Sequence, residues 1–203
     1  STVYCSSRRP RRMKLATREQ KEDLTLRLGA LGDQSAPYLT SLIDTLPGED
    51  LKERVTTSVM QMKDPSALPV AVRLLDSGST SVRLKGIKII GATGDADYAR
   101  YLTTLIRDEQ PDIRAAAIHA MQLLGDLDTF EGLSYAVWDA DAGVRLAAIT
   151  AVLELGRRHN RLDRAVEMLA DGLQRASGRG ITDLLSALSR AGVRHVCISP
   201  GAR

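Results

Sequence analysis

The sequence repeats itself at a fixed interval. A junction of Gly or Lys with Asp recurs at Gly32-Asp33, Lys63-Asp64, Gly94-Asp95 and Gly125-Asp126, and each aspartate follows the one before it by 31 residues. An aliphatic residue followed by a basic one recurs in the same register at Leu51-Lys52, Val82-Arg83, Ile113-Arg114 and Val144-Arg145. A period of this length indicates a solenoid, in which each small unit buries its apolar face only against its neighbours.

Each unit is predicted to contain two helices. In the third unit the segment from Tyr98 to Arg107 carries its apolar residues at i, i+1, i+4 and i+5, which is a helical stripe. Pro111 then suits the first turn of a second helix, and Gly125 suits its end. In the neighbouring units Ser79 and Asp141 stand just before the second helix, where both residue types favour N-capping.

Four columns of the second helix are predicted to be buried, because positions i, i+4, i+5 and i+8 share one face of a helix. The columns contain aliphatic or small residues and one threonine. They are Leu51, Val82, Ile113 and Val144; Val55, Gly86, Ala117 and Ala148; Thr56, Ile87, Ile118 and Ile149; and Val59, Ile90, Met121 and Val152.

The period also predicts the domain organisation. After Gly156 the register breaks, and Arg157 to Asn160 are expected to form a longer turn before a final helix pair. The predicted parts are a flexible basic tail at 1–14, a repeat domain at 15–192 with units at about 33–63, 64–94, 95–125, 126–156 and 161–192, and a C-terminal tail at 193–203.

The repeat resembles the HEAT-like repeats, closest to the short form found in phycobilin lyase subunits and bacterial scaffold proteins. The segments that carry the resemblance begin the second helices: Ser81-Val82-Arg83, Asp112-Ile113-Arg114 and Gly143-Val144-Arg145. The resemblance implies an all-α, right-handed α-solenoid of helical hairpins. Such repeats serve adaptors, lyases and DNA enzymes alike, so the fold alone does not decide the function.

Composition narrows the function classes. Aromatic residues make up only 3% of the chain, which leaves few stacking surfaces for bases or flavins. Two cysteines are too few for a disulfide framework, and a cytoplasmic location is expected. The net charge of +3 is concentrated near the start of the sequence, where one short run contains Arg8, Arg9, Arg11, Arg12 and Lys14.

The basic run leaves alternatives open. It is a solvated tail, a nucleic-acid-binding segment, or the cytoplasmic flank of a membrane anchor that precedes Ser1. For chemistry the sequence offers little: His119, His159 and His195 lie in different units, and no nucleophile–base arrangement, dinucleotide fingerprint or phosphate loop is recognisable. We therefore expect no enzyme activity, metal or cofactor.

Two sets of residues are candidates for the functional and structural roles. We expect Arg83, Arg114 and Arg145 to link neighbouring repeats through carboxylates or carbonyls of the turns. A ridge outside the buried stripe is predicted to bind a protein partner, a peptide or helix of acidic character, on the concave face, and it comprises Arg54, Lys85, Lys88, His119 and Glu154. The predicted function is a non-catalytic scaffold or adaptor, with a nucleic-acid-binding protein or a lyase subunit as alternatives.

Overall fold

The computed structural model describes residues 36–43, 49–62, 65–126 and 129–173, with a few single positions between 17 and 27 and between 182 and 189. All regular structure in these ranges is helical, and none of the described helices has the length and apolar character needed to cross a bilayer. The tails at 1–14 and 193–203, and most of the second half of the fifth unit, lie outside the described residues.

The described chain is a series of helical hairpins. The α-helices are α1 (Ala36–Ile43), α2 (Glu49–Met62), α3 (Leu68–Leu74), α4 (Thr80–Thr93), α5 (Ala99–Thr103), α6 (Pro111–Leu124), α7 (Ala142–Arg158) and α8 (Leu162–Leu173). Short 3₁₀ segments occupy Pro65–Ala67, Ala96–Tyr98, Thr104–Arg107, Glu131–Ser134 and Ala136–Trp138. The long helices α2, α4, α6 and α7 are the second helices of successive units.

The first half of unit 126–156 differs from the prediction. Two 3₁₀ segments, Glu131–Ser134 and Ala136–Trp138, replace the expected α-helix. Gly132 lies inside the first of them, and glycine costs about 1 kcal/mol relative to alanine in an α-helix. The apolar side of these segments nevertheless packs into the core through Leu133 and Val137.

The ends of the second helices follow from local sequence. Pro111 occupies the first turn of α6, as predicted, and Gly125 ends that helix in the left-handed region with φ 70°. The Oδ1 atom of Asp141 accepts a hydrogen bond from the backbone N–H of Val144 at 3.0 Å, which caps α7. Ser79 stands at the N-cap of α4 in an extended conformation, as predicted, although its side chain makes no capping hydrogen bond.

Helix α7 does not end where the register breaks. It continues through Gly156 to Arg158, and the turn is confined to His159 and Asn160. The longer turn predicted for residues 157–160 is therefore wrong. The absence of a side chain at Gly156 lets α8 cross α7 closely, since the Cβ of Ala165 lies only 2.8 Å from the point that a Cβ on Gly156 would occupy.

The predicted columns form the core. Val82, Ile113 and Val144 are fully buried, which confirms that they occupy equivalent places in successive repeats. The other three columns are buried throughout, including Thr56, whose hydroxyl donates to the carbonyl oxygen of Lys52 at 2.6 Å. The side chain of Leu51 lies outside the described residues. Because α4 packs against α6 and α6 against α7, each second helix covers the apolar side of the next one.

Candidate functional site

The second helices leave one side uncovered, and equivalent positions on this side form rows across the repeats. The central row is exposed on all four helices and consists of Thr57, Lys88, His119 and Thr150. One flanking row is apolar on α4, α6 and α7 and consists of Leu84, Ala115 and Leu146; the other consists of Ala92, Leu123 and Glu154. Lys85, Ala116 and Ala147 lie between the central row and the row of Leu84. We call all of these positions together the second-helix face.

The second-helix face exposes more apolar surface than the sequence pattern indicated. Leu123 is 48% exposed and Leu146 is 39% exposed, although both lie on well-packed helices. Ala115 and Ala116 between them are half-buried and small. The face therefore has a polar central row with apolar side chains exposed on both sides of it.

The five residues predicted to bind a partner fall in three rows rather than on one ridge. Lys88 and His119 are equivalent positions of α4 and α6, both exposed, with no hydrogen bond or ion pair to another described residue. Lys85 lies one row away, and Glu154 lies in the row on the other side, 3.7 Å from the Nε atom of Arg158. Arg54 belongs to α2, but its side chain lies outside the described residues.

Lys85 is already engaged by the neighbouring repeat. Its Nζ atom lies 2.7 Å from the Oε1 atom of Glu53 on α2, and the hydroxyl of Ser81 donates to the same oxygen at 3.1 Å. The hydrogen bonds from Lys85 and Ser81 and the charge of Lys85 lower the pKa of Glu53 against a small opposing effect of desolvation. Lys88 is thus the ammonium group of this face that remains available to a partner.

The regular 31-residue spacing of the arginines places them at the turns between the first and second helices. The Nε and Nη2 atoms of Arg114 each lie 2.7 Å from an oxygen of Asp139 in the next repeat, a bidentate pair that is 13–14% exposed on both sides. Its Nη1 atom donates to the carbonyl oxygens of Asp108 and Glu109 in its own turn, at 2.8 and 3.1 Å. Arg114 therefore joins two repeats with one guanidinium group.

Arg83 repeats this arrangement one unit earlier. Its guanidinium pairs with the carboxylate of Asp108 in the next repeat, and its Nε atom donates to the carbonyl oxygen of Leu75 in its own turn at 3.1 Å. Arg145 continues the series on α7, where it donates to the carbonyl oxygens of Asp139 and Ala140 at 3.0 Å.

The carboxylates at these turns stay ionised well into the acid range. Burial raises the pKa of Asp108, but the hydrogen bonds from Arg83 and from the backbone N–H of Gln110, together with the charges of Arg83 and Arg114, outweigh it and leave the pKa below its ordinary value. Burial likewise raises the pKa of Asp139, but the hydrogen bonds from Arg114 and from the backbone N–H of Asp141, together with the charges of Arg114 and Arg145, outweigh it and leave the pKa below its ordinary value.

The far ends of α6 and α7 are joined by contacts that sequence reasoning missed. The Nη1 atom of Arg158 donates to the carbonyl oxygen of Gln122 at 3.0 Å, and the Nε2 atom of His159 lies 2.7 Å from the carbonyl oxygen of Gly125. Both side chains thus satisfy carbonyl groups at the C-terminus of the preceding second helix. The sequence signal for these contacts is the basic run that follows Gly156, for which the sequence pattern predicts a turn.

Two surface hollows lie away from the second-helix face. One, of about 300 Å³, is lined by the turn carboxylates and Arg114, with the guanidinium of Arg107 stacked 5.3 Å from the centre of the Tyr135 ring at its edge. The other, of about 330 Å³, lies between the first halves of two units and is lined by residues including Arg100 and Asp126. Among the described residues, no group of three or more His, Cys, Asp or Glu side chains is placed to hold a metal ion.

Comparisons with known proteins agree with this architecture. Residues 68–154 match the model of the HEAT repeats. The fold is similar to that of the complex of CpcE and CpcF of phycocyanin lyase from Nostoc sp. PCC7120, with a TM-score of 0.55 and 15% sequence identity over 89% of this chain and 74% of the other. No curated protein matches the sequence. The resemblance predicted from the repeat period is therefore confirmed: residues 68–154 match the HEAT repeats, and the described residues fold as an α-solenoid of helical hairpins.

Proposed function

We propose that the protein is a non-catalytic scaffold or adaptor that binds a partner protein on the second-helix face. The observation that supports this most is the exposed row of Thr57, Lys88, His119 and Thr150, which crosses four consecutive repeats without interruption. Stacked repeats of this kind present an extended surface, and a specific protein contact needs roughly 1,000 Å² or more of buried area.

The distribution of paired and unpaired charge favours this face over the turns. At the turns, Arg83 and Arg114 are committed to carboxylates and carbonyls of adjacent repeats. On the second-helix face, Lys88 and His119 are exposed, and their side chains make no hydrogen bond or ion pair with a described residue. A partner can therefore pair with these groups without first breaking an interaction within the repeats.

A charge reversal tests the proposal. Lys88→Glu replaces an exposed side chain and leaves the core intact, and Arg107→Glu is a matched control on an exposed cation at the end of a first helix. We expect partners captured by the wild-type chain and identified by mass spectrometry to be lost with Lys88→Glu and kept with Arg107→Glu. Equal capture by all three chains would rule out this face as the binding surface.

A lyase subunit is the second candidate. It is favoured by the similarity in fold to a phycocyanin lyase complex of two chains, which extends over most of this chain. The test is attachment of chromophore to phycocyanin, followed by absorbance, in the presence of the purified chain alone and with proteins that copurify with it. Attachment that depends on the chain would support the lyase subunit and overturn the non-catalytic proposal.

Nucleic-acid binding depends on the run from Arg8 to Lys14, which lies outside the described residues, and it stays a prediction. The second-helix face does not favour it, because Lys85 and Lys88 of α4 are accompanied by Glu53, Asp112 and Glu154 on the other second helices. A cytoplasmic location and a membrane anchor before Ser1 also stay predictions.

A further inference from the structure

The spacing of the rows on the second-helix face restricts what conformation a partner can have. Packed helices lie about 8–10 Å apart, so equivalent side chains of α4, α6 and α7 recur at about that interval along the face. A partner that crosses these helices must present its own contact residues at the same interval, and on one side only.

An α-helix meets this requirement. It rises about 1.5 Å per residue, and positions seven apart lie on one side at a distance of about 10.5 Å. A β-strand does not meet it, because three residues span about 10 Å but an odd step turns the side chain to the opposite side. Two residues of a strand span less than the interval between the helices, and four residues span more.

A polyproline II segment has a suitable repeat, since three residues complete one turn in about 9.3 Å. Its backbone, however, has no internal hydrogen bonds, and grooves that bind such segments are lined by aromatic side chains. Helices α4, α6 and α7 contain no aromatic residue, and the row of Leu84, Ala115 and Leu146 offers no side-chain hydrogen-bonding group. A helix satisfies its own backbone and needs none.

The charges and shapes of the face indicate the character of that helix. Lys88 is exposed and has no ionic partner among the described residues, so it complements an acidic side chain. In the row beside it, Leu84 and Ala115 are half-buried and Leu146 is 39% exposed, and apolar side chains of the helix find contact there. The acidic position therefore lies over Lys88 in the central row, and the apolar positions lie over the row of Leu84, Ala115 and Leu146.

We propose that the second-helix face binds an amphipathic α-helix that lies across α4, α6 and α7, with apolar residues repeated every seven positions over Leu84, Ala115 and Leu146 and an acidic residue beside the first of them at Lys88. This inference rests on the proposed function, whose binding face it shares. It adds the conformation, register and charge of the bound segment.

Three synthetic peptides of equal length test it, each about 22 residues and so about 33 Å long when helical. The first has apolar residues at intervals of seven and an acidic residue beside the first of them. The second has the same composition and is equally helical but has the apolar residues at intervals of five. The third is the first with two of its other residues replaced by proline. Binding is measured by fluorescence anisotropy against the wild-type chain, Lys88→Glu and the control Arg107→Glu. Circular dichroism verifies that both variants are folded.

We expect the first peptide to bind the wild-type and Arg107→Glu chains alike and to bind Lys88→Glu at least about tenfold more weakly. The second and third peptides should lose a similar factor. If the proline peptide binds as well as the first and still depends on Lys88, the helical inference is wrong while the binding face stands. If the first peptide binds Lys88→Glu as well as wild type, or binds none of the chains, the inference is overturned, and the capture experiment decides the proposed function separately.

Discussion

Removal of the Arg114–Asp139 pair is expected to loosen the junction between the third and fourth repeats. Arg114 makes two charged hydrogen bonds to Asp139 and two to turn carbonyls, and both side chains of the pair are only 13–14% exposed. A hydrogen bond to a charged group contributes about 1.5–3 kcal/mol, and loss of one member of a buried pair costs about 3–5 kcal/mol. Because this pair retains some solvent contact, we expect about 2–3 kcal/mol for Arg114→Ala.

The assay is a double-mutant cycle by urea and thermal denaturation with Arg114→Ala, Asp139→Ala and the double variant. For a chain of this size, 2–3 kcal/mol corresponds to a fall in Tm of about 5–10 °C. We expect the two substitutions to be coupled by about 1–3 kcal/mol. Arg164→Ala is the matched control, because Arg164 also pairs with a carboxylate of another segment, Glu131, but on an open surface; it should leave the denaturation curve unchanged.

The reasoning predicts where the loss occurs as well as its size. Hydrogen exchange of Arg114→Ala should rise in the turn at residues 108–110 and at the start of α7, since those segments meet at the pair. A coupling energy within about 0.5 kcal/mol of zero would refute the account. So would a loss for Arg164→Ala that equals the loss for Arg114→Ala.

Two further predictions concern packing and pH. Gly86→Ala should destabilise the fold by about 1–3 kcal/mol, because its Cβ would lie 2.9 Å from the carbonyl oxygen of Ala71, whereas Gly132→Ala, with nothing within 4 Å, should be neutral in the same denaturation assay. Equal effects of the two substitutions would contradict this packing. The lowered pKa values of Asp108 and Asp139 stabilise the fold fully above the ordinary aspartate pKa of about 4, and this stabilisation is lost as pH falls through the lowered folded-state values. Urea midpoints measured from pH 6 to pH 2 should therefore fall below pH 4, and less steeply in the Asp108→Asn, Asp139→Asn double variant; an identical slope would remove the basis of this prediction.

The core was predictable because it depends on periodicity alone. The columns that begin at Val82, Val55, Thr56 and Val59 recur at one interval, and a helix that buries one of them must bury all four. The capping residues Asp141 and Gly125 were predictable from local backbone preferences. By contrast, Gly156 lies inside α7 and allows α8 to cross it closely, which is a tertiary contact that no local pattern reports.

The candidate site was only partly predictable. The exposed positions Lys88 and His119 follow from their place outside the buried columns, but the pairing of Lys85 with Glu53 depends on how two helices are offset along their axes. The exposed Leu123 and Leu146 were missed, since a leucine in a repeat is ordinarily assigned to the core. One sequence signal would have found them, because the equivalent positions in other repeats are polar: Glu154 is equivalent to Leu123, and Glu53 is equivalent to Leu146.

Site-specific photo-crosslinking tests the central claim, that partners bind across the second helices, most directly. A photoreactive phenylalanine analogue replaces either His119, in the exposed row of α6, or Thr103, exposed on the first helix α5 of the same repeat. The account predicts that bound partner, or the acidic helical peptide, is crosslinked from position 119 and not from position 103. Crosslinking from position 103 with none from position 119 would contradict it.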